Sequence, residues 1–195
     1  MANVQISAVD IEKLWYADFS EWSDSKTTTA ITGTIVRTLL NNKAKSFEIP
    51  NVHQDTWSIE ETEASQEKYK NQLTGNVYRM GAKEMGEVNV QFTIGRYDYE
   101  LKQAMLGGTV IRNAAGDAVG WARARGIVNL KHILIARTED KQYIVLPQAN
   151  VNTREANTDK AIGLAVTATA MEPDNDKIMA EYWFDESEIG TINRV

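Results

Sequence analysis

The sequence predicts a mainly β protein, an antiparallel sandwich or barrel-like domain with one flanking α-helix. Three stretches carry that reading. In the first, Val88, Val90, Phe92 and Ile94 alternate with Glu87, Asn89, Gln91 and Thr93. A strict period of two describes a strand with one dry and one wet face. At Gly95 the period changes, and Tyr97, Leu101, Ala104 and Met105 recur at helical spacing, which predicts a helix over 97–106. Asp98 suits its positive N-terminal end, and Gly107-Gly108 are residue types that end helices. In the second stretch, 127–137 and 142–151 are rich in β-branched and apolar residues and flank Thr138-Glu139-Asp140-Lys141. That is a hairpin signature, with arms of about ten residues and a length of about 33 Å. In the third, Ala161–Met171 reads as a late strand stopped by Glu172-Pro173-Asp174.

The remaining elements follow in order. Val4, Ile6 and Ala8, then Leu14-Trp15-Tyr16-Ala17, read as one or two strands, and 23–29 as a polar loop. Ile31, Ile35, Val36, Leu39 and Leu40 fit one helical face. They predict a second helix over 32–43, with a strand as the competing reading because of the threonines. Ser46–Pro50 is short and extended, and Pro50 keeps it out of a central strand. Thr56–Ile59 alternates like a strand; 60–70 is polar and exposed; Val77–Met80 is a short strand between glycines. Thr109–Arg112 begins a strand, Asn113–Asp117 is a turn and 152–160 a polar loop. Tyr182-Trp183-Phe184 needs a packing partner.

Composition bounds the function. The 195 residues are 43% hydrophobic and 25% charged, ordinary for one globular domain with a real core. The domain is expected to span 1–195, with an N-terminal extension and an acidic C-terminal tail. No apolar run reaches bilayer length, so no membrane is expected as partner. The N-terminus lacks a basic region followed by an apolar core, so no secretory signal is expected. Cysteine is absent, which removes disulfides and thiolate metal sites. A net charge of −6 disfavours tight nucleic-acid binding. The charge is uneven. Acids dominate Glu48–Lys70 and Glu172–Val195, and bases dominate Arg112–Arg137. Solvated loops explain such patches, and so does self-association in a ring or head-to-tail geometry.

No chemistry announces itself. His132, mid-strand between Leu130 and Leu134, reads as a structural histidine; His53 has no second histidine at ligand spacing. Asp174-Asn175-Asp176 lacks the glycine and distal glutamate of a calcium loop. Glu60, Glu61 and Glu63 form a polar run that reads as solvated rather than as an acid–base pair. No phosphate loop, nucleophile elbow or zinc-protease motif occurs. We therefore expect no catalytic residue, no metal and no cofactor. Trp22 and Trp121 sit in loop-like surroundings among five tryptophans. Each either marks an interface or caps an edge of the core.

Several stretches resemble a phage major tail protein, the tail-tube subunit of phages and prophages of gut Bacteroidetes-type bacteria. They are Asn51–Trp57, Tyr69–Gly75, Phe92–Tyr99, Gly107–Val110 and Ala161–Ala168, within a span from Val52 to Phe184. The resemblance implies a β-sandwich with a flanking helix, similar in fold to the tube protein of type VI secretion. It implies hexameric rings whose inner sheets join into a barrel, stacked into a tube that conducts DNA without binding it. It also implies a virion tail protein made in the bacterial cytoplasm, whose partners are its own copies and other tail proteins. On that reading the 127–151 hairpin lies in the ring-forming sheet, and 55–73 or 22–29 touches the next ring. Candidate interface residues are Trp22, Trp57, Glu60, Glu61, Glu63, Trp121, Lys131 and Arg137. The alternative is a monomeric β module that binds a small ligand or a protein.

Overall fold

A computed structural model describes residues 10–23 and 29–194. The strand expected around Val4–Ala8 and most of the 23–29 loop lie outside the described residues. Among the described residues, twelve strands and three α-helices follow in order. The strands are β1 (Ile11–Asp18), β2 (Ser46–Glu48), β3 (Ser58–Glu61), β4 (Ser65–Lys70), β5 (Val77–Glu84), β6 (Val88–Ile94), β7 (Thr109–Arg112), β8 (Ala118–Ala122), β9 (Leu130–Thr138), β10 (Gln142–Thr158), β11 (Ala161–Ala170) and β12 (Tyr182–Asp185). The helices are α1 (Gly33–Asn41), α2 (Tyr99–Leu106) and α3 (Glu186–Ile189). All strand pairs are antiparallel. The main sheet runs β2-β1-β9-β10-β11-β6-β3 and curls into a half-barrel; β12 adds to β10. The mainly β, barrel-like class read from the sequence is the class observed.

The sheet is covered on both faces where β1, β9 and β10 meet. Leu14, Leu134, Ile144 and Leu146 face the inside of the curl, where they join Phe92, Leu164, Val166 and α2's Leu101 and Met105. Their neighbours Trp15, Ile133, Ile135, Tyr143 and Val145 face the other way, onto Val36, Leu39 and Leu40 of α1 and Ile189 of α3. Two dry faces explain why these strands read as unbroken apolar runs, while β6 alternates.

The helices form for local reasons. Asp98 Oδ1 accepts from Leu101 N–H at 2.7 Å to cap α2, and Gly107 takes φ 75° at its end. Thr32 caps α1, whose buried Val36, Leu39 and Leu40 lie at helical spacing. A Cβ on Gly33 would stand 2.3 Å from Glu188 O, so only glycine lets α1 approach α3 this closely. The short α3 and the 3-10 turn Phe19–Trp22 carry no signal strong enough to be expected from sequence.

Several boundaries differ from expectation: the short strand expected at Val77–Met80 runs through Gly81 to Glu84 as β5. The hairpin's first arm begins at Leu130, leaving 127–129 as an exposed loop. The expected loop 152–160 is strand. β10 runs to Thr158, pairs with β11 along its outer half, and turns at Asp159 (φ 42°) and Lys160 (φ 71°). Its polar side chains belong to a solvated strand face, and its tight turn has positive φ at both residues without the usual glycine. The polar stretch 60–70 is exposed as expected, but as strands β3 and β4.

β10 also changes partners along its length. Its first half pairs with β9 and β12, and its second half with β11. The register shifts between Leu146 and Ala149, around Pro147-Gln148. Proline has no N–H to offer a ladder, and a bulge tolerates that. The bend lets one strand serve both halves of the curl.

Tyr16 gives the first prediction. Its ring stacks on Phe47 and meets His132 edge-on, both at 5.4 Å between centroids. Burial, with the Asp98 charge as a lesser cause, raises its pKa to about 12. The unfolded phenol ionises near 10, so its contribution to stability is intact below pH 10 and is lost as pH rises toward 12. Tyr16→Phe is expected to flatten that part of the alkaline stability profile. Equal alkaline slopes for the two proteins in urea unfolding would refute this.

Candidate assembly surface

The least integrated part of the molecule lies between β3 and β6. β3 pairs with β6 through Glu60↔Asn89 and Glu61↔Val88, and its other edge is open. Beyond it the chain pinches: Thr62 N–H donates to Glu87 O at 3.0 Å, and Glu87 N–H to Thr62 Oγ1 at 2.8 Å. Past this neck, β4 and β5 form their own two-stranded sheet. Asn71 builds the tip, where its Oδ1 accepts from Leu73 N–H at 2.8 Å and its O from Gly75 N–H at 2.8 Å. Gly75 sits at φ 71°, a conformation that suits glycine.

This arm exposes apolar side chains. Leu73 is 94% exposed, Met85 88%, Tyr78 69% and Met80 50%, and none belongs to either core cluster. Tyr78 is the extra residue of the bulge between the pairs Lys70↔Val77 and Tyr69↔Arg79, and Lys68 is the register partner of Met80. Arg79 crosses the arm onto the Tyr69 ring, 5.4 Å from its centroid. Lys68, Lys70 and Arg79 thus make the outer arm basic, whereas Glu60, Glu61, Glu63 and Glu84 make its root acidic; all are exposed. At the other end of the chain Glu172, Asp174 and Asp176 are exposed near Met179 and Trp183, which are 62% and 40% exposed.

A second hairpin, β7–β8, is tied to α2. Trp121 Nε1–H donates to Gly107 O at 2.8 Å, and Lys102 Nζ lies 4.4 Å from the Trp121 ring centroid. Lys102 also pairs with Glu155 at 2.6 Å, and Arg123 with the same carboxylate at 2.8 Å. The Lys102 hydrogen bond, with the neighbouring positive charges, holds the Glu155 carboxyl below its usual range despite some desolvation.

The expected interface residues therefore scatter. Glu60, Glu61 and Glu63 flank the arm's root. Trp57 is half-buried against Phe92, 6.2 Å between ring centroids. Of the two readings left open for Trp22, the structure fits the core one: it closes a 3-10 turn, is 5% exposed and packs in the α1 cluster. Trp121 is corrected, from loop to strand β8, half-buried under Lys102 and Arg123. Lys131 Nζ lies 5.5 Å from the Phe19 ring centroid. Arg137 pairs with Glu12 at 3.1 Å and with Glu186. Of the basic stretch 112–137, Arg112, Arg123 and Arg137 are thus held in separate ion pairs, Arg112 with Glu100 at 3.1 Å.

Sequence reasoning missed the arm as a unit. Its bulges, between Gln66 and Lys68 and between Tyr69 and Lys70, break the alternation that identifies strands. Among the described residues, no group of three or more His, Cys, Asp or Glu side chains could hold a metal ion, and no helix is long and apolar enough to cross a membrane. No known family model matches the chain, and no curated protein matches it.

Proposed function

We propose that this protein is a self-assembling structural subunit of the phage tail-tube kind, forming hexameric rings that stack into a DNA-conducting tube. The observation that carries the reading is the β4–β5 arm, which projects Leu73, Tyr78 and Met80 into solvent from a narrow neck. Burying a leucine or methionine fully contributes about 1.5–3 kcal/mol, so docking such an arm on a neighbour is worth a substantial part of a contact. The basic outer arm suits an acidic receiving face, and the 172–181 segment of the next copy supplies one with Met179 and Trp183 beside it. The open edges of β2 and β3 suit lateral joining of sheets, which also disposes of exposed strand edges. The overall negative charge fits a conduit that does not hold its cargo.

Electron microscopy with light scattering tests the reading. Rings and tubes are expected as the concentration of the full chain rises. Tyr78→Asp combined with Met80→Asp is expected to abolish stacking while circular dichroism stays unchanged. A chain that remains monomeric over the whole concentration range overturns the proposal. Tubes that form as readily from the double variant overturn the arm's part in it.

A further inference from the structure

The outer half of β10 is an open edge within the main sheet. Beyond the pair Val151↔Leu130, where β9 begins, β10 has β11 on one side only, through to Thr158. Met171 N–H donates to Gln148 O at 2.8 Å, so the even residues of this half turn their backbone groups toward β11. Thr153, Glu155 and Asn157 turn theirs away, and among the described residues nothing bonds to them. β3 is the matching case. Thr62 N–H donates to Glu87 O, so Ser58 and Glu60 bond toward β6, and the backbone groups of Ile59 and Glu61 face outward. Unpaired edges of this kind accept a further strand.

Strand direction decides which edges match. From β10 to β3 the order is β10-β11-β6-β3, four strands each antiparallel to the next, so β3 runs opposite to β10. Copies related by rotation about an axis along the strands keep these directions, and β3 of one copy then meets β10 of the next antiparallel. The far end of the sheet does not match in this way. From β2 to β3 there are seven strands, so β2 runs with β3, and its outward Ser46 O already accepts from Arg194.

Charge then fixes the register. Outward backbone groups must oppose each other, so Ile59 falls opposite Thr153, Glu155 or Asn157. Opposite Thr153, it would bring Glu61 onto Val151, which β9 already holds. Opposite Asn157, it would set Glu61 against Glu155, like against like. Opposite Glu155, it brings Glu60 onto Arg154, two exposed residues of opposite sign. Ile59 and Val151 belong to the cluster inside the curl, so Glu60 and Arg154 both lie on its outer face. The surroundings have the same polarity. Glu63 follows β3, whereas Arg123 pairs with Glu155 at 2.8 Å and Arg125 lies exposed on the loop that follows. Two β3 edges would place acids on acids, so β3 selects β10 over its own kind.

We infer that β3 of one copy adds to the outer half of β10 of a second copy, antiparallel, with Glu60 opposite Arg154. The inference rests on the assembly reading above and names the two strands that join. Because the two edges differ, the contact is head-to-tail and repeats from copy to copy, as a ring requires.

Cysteine is absent from the chain, so introduced cysteines report this contact alone. Full chains carrying Glu60→Cys are mixed with full chains carrying Arg154→Cys and treated with oxidised glutathione. Directly opposed residues of an antiparallel pair stand about 4.5–5.5 Å apart, within disulfide reach. A mixed 60–154 dimer is expected by mass spectrometry, in higher yield than the 60–156 dimer formed with Ala156→Cys. In chains without cysteine, Glu60→Lys is expected to weaken association about fivefold by light scattering, and Arg154→Glu added to it to restore association. Rings or tubes without the 60–154 link overturn this pairing and leave the assembly reading standing. Linked dimers without rings or tubes uphold the pairing and overturn the tube. A chain that shows neither overturns both. A higher yield at 156, or no rescue by Arg154→Glu, overturns the register.

Discussion

Phe92→Ala is expected to destabilise the fold by about 3–5 kcal/mol, the usual result of truncating a buried phenylalanine. Phe92 is 2% exposed, in the middle of β6. Its register partner is Val166 on β11, and Trp57 packs its ring against it. These are the walls of the curled sheet, which hydrogen-bonded ladders hold apart, so they cannot collapse far into the space that alanine leaves. Against a typical stability of about 5–15 kcal/mol, this is a large fraction. For a chain of this length it corresponds to a fall in melting temperature of about 6–20 °C. Val119→Ala, at a site 53% exposed on β8, serves as control and should stay within about 0.5 kcal/mol. A Phe92→Ala effect as small as the control's would show that the half-barrel is not packed as described.

Gly86→Ala is expected to act on a different part of the molecule. A Cβ at Gly86 would lie 1.8 Å from Thr62 O, far inside contact distance, and the obstacle is backbone rather than a side chain that can swing away. The Thr62–Glu87 neck must therefore open, with an overpacking cost of about 1–3 kcal/mol. The arm packs in neither core cluster, so the loss should be local. Hydrogen exchange should rise across β4 and β5 while β9 and β10 keep their protection, and the melting temperature should change little. If the arm joins copies, tube growth should fail in the same variant. Unaltered exchange in 65–84 would contradict the neck's role.

What could be read in advance follows from how local its cause is. β6 and α2 were legible because each declares itself within a few residues: alternation in 88–94, then Asp98, Leu101, Met105 and Gly107 at helical offsets. The β9–β10 hairpin was legible for the same reason. The outer half of β10 was not, since Asn152, Arg154 and Glu155 face solvent and the Asp159-Lys160 turn lacks glycine. The arm was obscured by its two bulges. The burial of Trp22 depends on α1, and nothing adjacent to it in sequence announces that contact. The cleft between β1, β9 and 186–194 lies beyond local reading altogether. It joins β1, β9 and the last residues of the chain, and only the fold brings Arg194 to Ser46.

The pairing of β1 with β9 sets an order of events. β1 (11–18) has β2 on one side and β9 (130–138) on the other, and β2 covers only three of its residues. On a ribosome adding roughly 5–20 residues per second, β1 waits on the order of ten seconds for its main neighbour. Through that interval Leu14 and Trp15 have no finished core to enter, and the cleft at Trp15 does not exist. The arm, by contrast, is made entirely of residues 65–84 and can pair as soon as it emerges. The face proposed to receive it comes last, with 172–181. In the proposed assembly a nascent chain therefore carries its basic arm well before its own acidic 172–181 face, and until that face is made it can only dock on a finished copy.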